Sequence, residues 1–187
     1  FTIGHSTRSI DELVGLLRQS EVARLVDVRT VPRSRTNPQF NRDSLPSSLA
    51  VHGLGYSYLE RLGGLRGRSK TVPPEVNGFC NNESFHNYAD YALTADFAAG
   101  FEQLLEIGRQ ESSAIMCAEA VWWRCHRRII ADHLLARGLE VWHILSEGHV
   151  ERAEPTRGAV VGPQGAVHYP AAQGSLPYPA PQASPPL

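Results

Sequence analysis

Apolar and polar residues alternate along the chain in two patterns, which predict strands and helices in turn. Short apolar runs that are bounded by polar or glycine-containing segments are typical of strands in a buried sheet. Five such runs occupy residues 1–4, 25–28, 55–59, 113–117 and 141–145. The stretches between them carry apolar residues at helical spacing, so each strand is expected to be followed by a helix or by a long loop.

The first predicted helix begins at Ser9, because Ser9 and Glu12 have the spacing of a capping box and an apolar stripe follows them. Pro46 falls in the first turn of a second helix, and Gly53 follows its end. Residues 83–109 indicate one helix with a break or two separate helices. The helices after the first are predicted over residues 44–52, 83–91, 94–109 and 123–137.

Strands that alternate with helices predict right-handed crossovers and a parallel sheet. We therefore expect one α/β domain over residues 1–150, with a mostly parallel five-stranded sheet and helices on both faces. The composition then changes, since the last 33 residues hold 8 of the 13 prolines. Residues 151–187 are predicted to form an extended or disordered tail without a core of its own, although Tyr169 and Tyr178 suit docking onto the domain.

Composition and charge narrow the classes of protein. A chain of 187 residues with 42% hydrophobic residues suits one globular domain, and a net charge of −1 disfavours broad nonspecific binding to nucleic acid. Three cysteines without small-scaffold spacing indicate a reducing compartment, and we expect the cytoplasm. No apolar run approaches the roughly 20 residues that a membrane span needs.

Polar and ionisable residues follow the predicted strands. In parallel α/β sheets, ligands bind beyond the carboxyl ends of the strands. His5 and Ser6 follow the first strand, Arg29 follows the second, and Cys117 and Glu119 lie at the end of the fourth. These positions predict a polar site with a positive bias at this edge of the sheet.

The segment 117–128 is the strongest local signal, because it leads from a strand into a predicted helix. The N–H groups and the dipole of such a helix terminus attract anions, and Arg124 and Arg127 add positive charge. A cysteine in this position is shifted toward the thiolate. Cys125 and His126 are therefore candidates for catalysis, with structural roles as the alternative.

Three further residues of this region allow two interpretations each. Cys117 is either a core residue or a nucleophile, and Glu119 is either an ion-pair partner or a general acid or base. Trp122 either packs in the core or stacks on a base. The cysteine and histidine spacing does not match a usual zinc site, so we expect neither a metal ion nor a cofactor.

The loop after the second strand is the other signal. It carries three arginines and two asparagines, stiffened by prolines, and such a loop suits contacts to phosphate or to polar base edges. The alternative is that its arginines pair with carboxylates of the same domain. The candidate residues of this loop are Arg29, Arg33, Arg35, Asn37 and Asn41. Tyr56 either lines the same cavity or packs between the sheet and the helices.

Several separated motifs resemble the domain-of-unknown-function 488 (DUF488) family, in the same order over roughly residues 1–147. They are Thr-Ile-Gly-His-Ser-Thr at 2–7, Val-Asp-Val-Arg at 26–29, Asn-Pro at 37–38, Phe-Asn at 40–41, Met-Cys-Ala-Glu at 116–119 and Cys-His-Arg at 125–127. The resemblance supports an α/β fold and implies no established reaction. It marks as motif positions His5, Arg29, Arg35, Asn37, Cys117, Glu119, Cys125, His126 and Arg127.

These patterns favour an enzyme of the hydrolase type that acts on a phosphate-bearing substrate, either a nucleotide or a nucleic acid. Arginines would hold the anion, and Glu119 would do acid–base or cation-stabilising work in the cleavage of an N-glycosidic or phosphoester bond. Two alternatives stay open. One is thiol chemistry through Cys117 or Cys125, as in rhodaneses and cysteine phosphatases, and the other is a non-catalytic nucleic-acid-binding module. The sequence leaves the oligomeric state open.

Overall fold

The computed structural model describes residues 1–171 and contains a mixed α/β fold around one main sheet. This sheet has six strands in the order β3-β2-β4-β1-β5-β6. The strands are β1 (Thr2–Gly4), β2 (Arg24–Asp27), β3 (Gly55–Tyr58), β4 (Ser113–Cys117), β5 (Trp142–Ser146) and β6 (His149–Arg152). All neighbouring pairs are parallel except β5 and β6, which are antiparallel. The five-strand prediction was therefore one short, because β6 is exposed and lacks an apolar run.

Within residues 1–171, five α-helices accompany the sheet. They are α1 (Ile10–Gln19), α2 (Leu45–Ala50), α3 (Glu83–Tyr91), α4 (Ala95–Gln110) and α5 (Arg127–Ala136). Ser9 and Glu12 form the predicted capping box of α1. The helix predicted from residue 123 begins only at Arg127, since residues 122–124 form a 3-10 turn in which the Trp122 ring stacks on His143. None of the helices within residues 1–171 combines the length and apolarity needed to cross a membrane.

Helices cover both faces of the sheet, because alternate strand residues point to opposite sides. Val26 and Ile115 pack in a core with residues of α3, α4 and α5. Leu25 and Met116, their neighbours in sequence, pack in a second core with residues of α1 and α2. The sheet is thus buried between two helical layers, as the sequence predicted.

The order of the strands creates a crevice between β1 and β4. From β1 the chain passes through α1 to β2 and through α2 to β3, on one face and toward one edge. From β4 it passes through α5 to β5, on the other face and toward the other edge. The chain therefore leaves these two adjacent strands in opposite directions, which is where ligands bind in open α/β sheets.

The chain continues on the domain beyond residue 150. That boundary falls inside β6, and two further short strands, β7 (Val160–Val161) and β8 (Val167–His168), form a small antiparallel pair. Tyr169 is buried, and its hydroxyl donates to Asp132 Oδ2 at 2.7 Å. Residues 172–187, which include Tyr178, lie outside the described residues.

Candidate functional site

A cavity of about 360 Å³ lies at the crevice between β1 and β4 and extends to the loop that follows β2. Its wall is formed by His5, Ser6, Thr7, Arg29, Val31, Arg33, Ser34, Asn37 and Ala118. The turn after β4 and the arginine-containing loop therefore line the same cavity.

The floor of the cavity is formed where the end of β1 meets the turn after β4. The backbone N–H of His5 donates to the carbonyl of Cys117 at 2.9 Å, and that of Ser6 donates to Ala118 at 3.0 Å. A side chain at Gly4 would collide with the carbonyl oxygen of Glu119, so the approach of the two segments requires glycine there. Ser6 has a φ of 48°, a left-handed conformation that is uncommon for serine and often marks functional sites.

His5 is a neutral, oriented side chain of the cavity wall. Its Nδ1 lies 2.9 Å from the carbonyl of Ser6, which can only accept, so Nδ1 carries the hydrogen. Its Nε2 then accepts from Arg29 Nη1 at 3.2 Å, and its ring stacks on Phe40 at 4.3 Å. Burial lowers the pKa of His5 to about 4. At neutral pH, His5 therefore orients Arg29 without adding charge.

Arg29 is held by a buried carboxylate. Its Nε and Nη2 donate to the two oxygens of Asp27 at 2.9 and 2.6 Å, and Nη2 also donates to the carbonyl of Phe40 at 2.7 Å. The Tyr56 hydroxyl donates to the same carboxylate at 2.9 Å, and burial raises the pKa of Tyr56. Tyr56 therefore lies beside Asp27 and is absent from the cavity wall, and the charge of Arg29 is largely neutralised within the domain.

Arg33 is less neutralised than Arg29, the other arginine of the cavity wall. Its side chain is 75% exposed and lies 3.6 Å from Asp43, which is 85% exposed, so this ion pair is weak. The loop that carries Arg33 is braced from within. Asn41 Oδ1 accepts from the N–H of Ser34 at 2.6 Å, and the N–H of Asn37 donates to Ser34 Oγ at 3.0 Å. Asn37 thus lines the cavity, whereas Asn41 maintains the shape of the loop.

A second cluster, of sulfur atoms and a guanidinium group, lies beneath this floor. Cys117 and Cys125 are free cysteines whose Sγ atoms are 2.6 Å apart. Arg127 Nε lies 3.1 Å from Cys117 Sγ and 3.4 Å from Cys125 Sγ. Arg127 is only 1% exposed, and its Nη2 donates to the carbonyl of Glu119 at 2.7 Å. The first N–H of α5 also points to Cys125 Sγ, so this helix terminus faces sulfur.

The two thiols differ in acidity. Burial and the contact with Cys125 raise the pKa of Cys117. Burial opposes ionisation of Cys125 as well, but its hydrogen bonds to Cys117 and His126 and the electrostatic effects of His126 and Arg127 outweigh burial and lower its pKa well below the ordinary value. The pair is therefore best described as one thiolate and one thiol. His126 is held in place by an Nε2–H that donates to the carbonyl of Val28 at 2.9 Å.

Four further predicted site residues are absent from the cavity wall. The Glu119 side chain is exposed one residue beyond Ala118, and Trp122 stacks on His143 with 4.2 Å between the ring centroids. Arg35 and Arg124 are exposed and absent from the wall.

Sequence reasoning did not single out Thr7 or Ser34 as site residues. Both had a usable signal, since Thr7 ends the first motif and Ser34 separates two candidate arginines. Across residues 1–171, no three His, Cys, Asp or Glu side chains are grouped in a way that would hold a metal ion.

The strand order and the cavity define an open, doubly wound α/β protein with a polar site at its switch point. A family model described as "Domain of unknown function DUF488" matches residues 9–134, which is more than half of the chain. The chain therefore belongs to the DUF488 family. No curated protein and no solved structure matches it significantly.

Proposed function

We propose that this protein is an enzyme that acts on a phosphate-bearing substrate, which binds in the cavity between β1, β4 and the loop after β2. The observation that carries the proposal is the set of donors on one wall: the guanidinium of Arg33, the hydroxyls of Ser6 and Ser34, and the amide of Asn37. Such groups complement the oxygens of a phosphate, and arginine binds them in a forked geometry.

The dimensions of the cavity favour a small substrate. A volume of about 360 Å³ falls within the range typical of small-molecule sites. The net charge of −1 is also unfavourable for an extended polyanion. Both points support a nucleotide more strongly than a nucleic acid, and they support a non-catalytic nucleic-acid-binding module least.

Glu119 is the proposed acid–base residue. Its carboxylate is exposed and belongs to the residue that follows Ala118, which lines the cavity, and the proposal is that it reaches a bond next to a bound phosphate. Hydrolysis of a phosphoester or an N-glycosidic bond suits a carboxylate in this position. Three free cysteines fit the reducing cytoplasm as the place of action. Thiol transfer to a substrate has less support, since neither sulfur lines the cavity.

Binding of phosphate tests the site directly. Isothermal titration of the wild-type chain with inorganic phosphate, adenosine monophosphate and uridine monophosphate should give measurable affinity for at least one of them. Arg33→Ala should weaken that affinity about tenfold, because it removes the least neutralised guanidinium of the wall.

The control is Arg109→Ala, which removes a similarly exposed arginine that pairs with Glu106 far from the cavity. Its affinity should equal that of the wild type. Equal affinity in the wild type and Arg33→Ala, or no binding of any of the three compounds, would refute the proposed phosphate-binding site.

An assay of turnover distinguishes the binding of the substrate from its cleavage. In a screen of nucleoside monophosphates and phosphomonoesters, the Glu119→Gln variant should bind with wild-type affinity but lose at least a hundredfold in rate, the usual scale of general acid–base catalysis. Wild-type rates in this variant would exclude Glu119 from the mechanism.

A further inference from the structure

The cluster of Cys117, Cys125 and Arg127 has no part in the proposed binding of phosphate, yet it brings two thiols and a guanidinium group into contact. The two sulfurs are 2.6 Å apart, and both thiols are nearly inaccessible, with exposures of 3% and 4%. Their positions are defined by secondary structure, because Cys117 ends β4 and the carbonyl of Cys125 accepts from the N–H of Arg128 at 3.0 Å.

Arg127 shows that this cluster is more than two packed thiols. A buried guanidinium group needs a negative partner, since an uncompensated charge in the interior is costly. Within residues 1–171, the contacts of Arg127 are the two sulfurs, the carbonyl of Glu119 and the hydroxyl of Thr2, with no carboxylate among them. The anion that balances Arg127 is therefore a thiolate.

We propose that Cys117 and Cys125 form a reversible dithiol–disulfide couple whose oxidant is a small hydroperoxide. A disulfide requires a sulfur–sulfur separation of about 2.05 Å, so the pair has to close by only about half an ångström. Burial of both sulfurs selects a small oxidant, because a bulky disulfide such as oxidised glutathione cannot align with either of them. The couple is independent of the proposed function.

The reaction proceeds in two balanced steps. The Cys125 thiolate attacks the terminal oxygen of the hydroperoxide, the O–O bond breaks, and the alkoxide that leaves takes a proton from solvent to become an alcohol. Cys125 is then a sulfenic acid. Cys117 attacks the Cys125 sulfur, the S–O bond breaks, and the departing hydroxide takes the proton of Cys117 to leave as water. The two cysteines lose two electrons, and the hydroperoxide gains them.

Cys125 is assigned the first attack because its sulfur lies near three nitrogen atoms. Arg127 Nε lies 3.4 Å away, the N–H of Arg127 lies 3.5 Å away, and His126 Nδ1 lies 3.4 Å away. Cys117 Sγ lies near only two, Arg127 Nε at 3.1 Å and the N–H of Glu119 at 3.3 Å. Cys117, whose pKa is raised by burial, is already in contact with Cys125 Sγ, which is where a resolving thiol has to be. Formation of the disulfide removes the thiolate from Arg127, so the reduced form is favoured once a reductant reaches the sulfurs.

Peptide mass mapping after peroxide treatment tests the couple in the full chain. The folded protein is treated with equimolar hydrogen peroxide, denatured, alkylated and digested. The expected product joins the peptides of Cys117 and Cys125 with the loss of two hydrogen atoms, while Cys80 is recovered alkylated. Dithiothreitol added with the denaturant, before alkylation, should return both thiols. The Cys80→Ser control should form the same cross-link, because Cys80 takes no part in the cluster.

Two variants identify the order of attack without relying on catalytic activity. In Cys117→Ser, a sulfenic acid at Cys125 should persist and be trapped by dimedone that is added with the denaturant. In Cys125→Ser, peroxide should be consumed at least tenfold more slowly. If either variant fails to fold, the peptide mapping of the wild type still tests whether the disulfide forms. Absence of the intramolecular cross-link, or its replacement by intermolecular disulfides or a stable sulfinic acid, would overturn the proposal. Arg33→Ala should oxidise normally, which keeps this test separate from that of phosphate binding.

Discussion

At the scale of single residues, the arginines of this protein differ in function because their surroundings differ. Arg29 is neutralised by a fully buried carboxylate, Arg127 is buried against two cysteine sulfurs, and Arg33 pairs only with an exposed Asp43. All three carry the same charge, but only Arg33 retains it for a ligand. Solvent exposure and the identity of the partner therefore decide which arginine can bind substrate.

The Asp27–Arg29 pair leads to a prediction of stability. Asp27→Asn keeps the shape of the side chain but leaves the Arg29 guanidinium buried without an anion, so the free energy of unfolding should fall by about 3–5 kcal/mol. Urea denaturation measures this change. Asp43→Asn, at the exposed pair with Arg33, should change it by no more than about 0.5 kcal/mol. Similar stabilities of the two variants would show that the buried pair is not needed.

At the scale of elements, the end of β1 is pressed against the turn that leads from β4 toward α5. Two backbone hydrogen bonds and the absence of a side chain at Gly4 make this contact possible. The cavity lies directly beyond it, because His5, Ser6 and Ala118 are the next residues of the two segments. The packing of these elements therefore sets the shape of the site.

Two glycine substitutions test this packing. Gly4→Ala should lower the free energy of unfolding by about 1–3 kcal/mol, because the new methyl group meets the carbonyl of Glu119. Gly15→Ala is the control: it lies in the exposed middle of α1 with open space around it, and it should raise stability by about 0.5–1 kcal/mol. Both are measured by denaturant titration. A Gly4→Ala variant as stable as the wild type would mean that the two segments can separate at little cost.

At the scale of the whole molecule, three buried histidines couple stability to pH. Burial lowers the pKa values of His5, His133 and His143 to about 4. The unfolded chain binds protons at these positions near pH 6.5, whereas the folded chain does not until about pH 4. Stability is therefore complete above pH 6.5 and falls as the pH is lowered toward 4, with a slope that approaches about 1.4 kcal/mol per pH unit for each histidine.

The pH dependence can be assigned to one of these residues by substitution. His133 packs against Phe97 and Phe101, and its Nε2 has no hydrogen-bond partner within residues 1–171. His133→Leu should therefore keep the packing, and its urea midpoint should fall less steeply than that of the wild type between pH 7 and 5. An unchanged slope would show that His133 does not contribute.

Much of the fold could be predicted from local patterns. The capping box at Ser9, the fourth strand and the two-faced sheet all follow from spacing that is visible along the chain. The strand β6 and the start of α5 could not be predicted in this way. An exposed edge strand has no apolar pattern, and the turn at Trp122 depends on stacking against His143, which is distant in sequence.

The candidate site, like the fold, was predictable from the sequence only in part. The sequence alone determined that basic and polar residues follow parallel strands, which is sufficient to locate a site at one edge of the sheet. Only the tertiary structure decided that Arg29 is neutralised internally, that Arg127 is buried against sulfur, that Arg33 faces the cavity and that two cysteines eight residues apart are in contact. The physical reason is that charge and acidity depend on burial and on partners from other elements, and no local pattern specifies these.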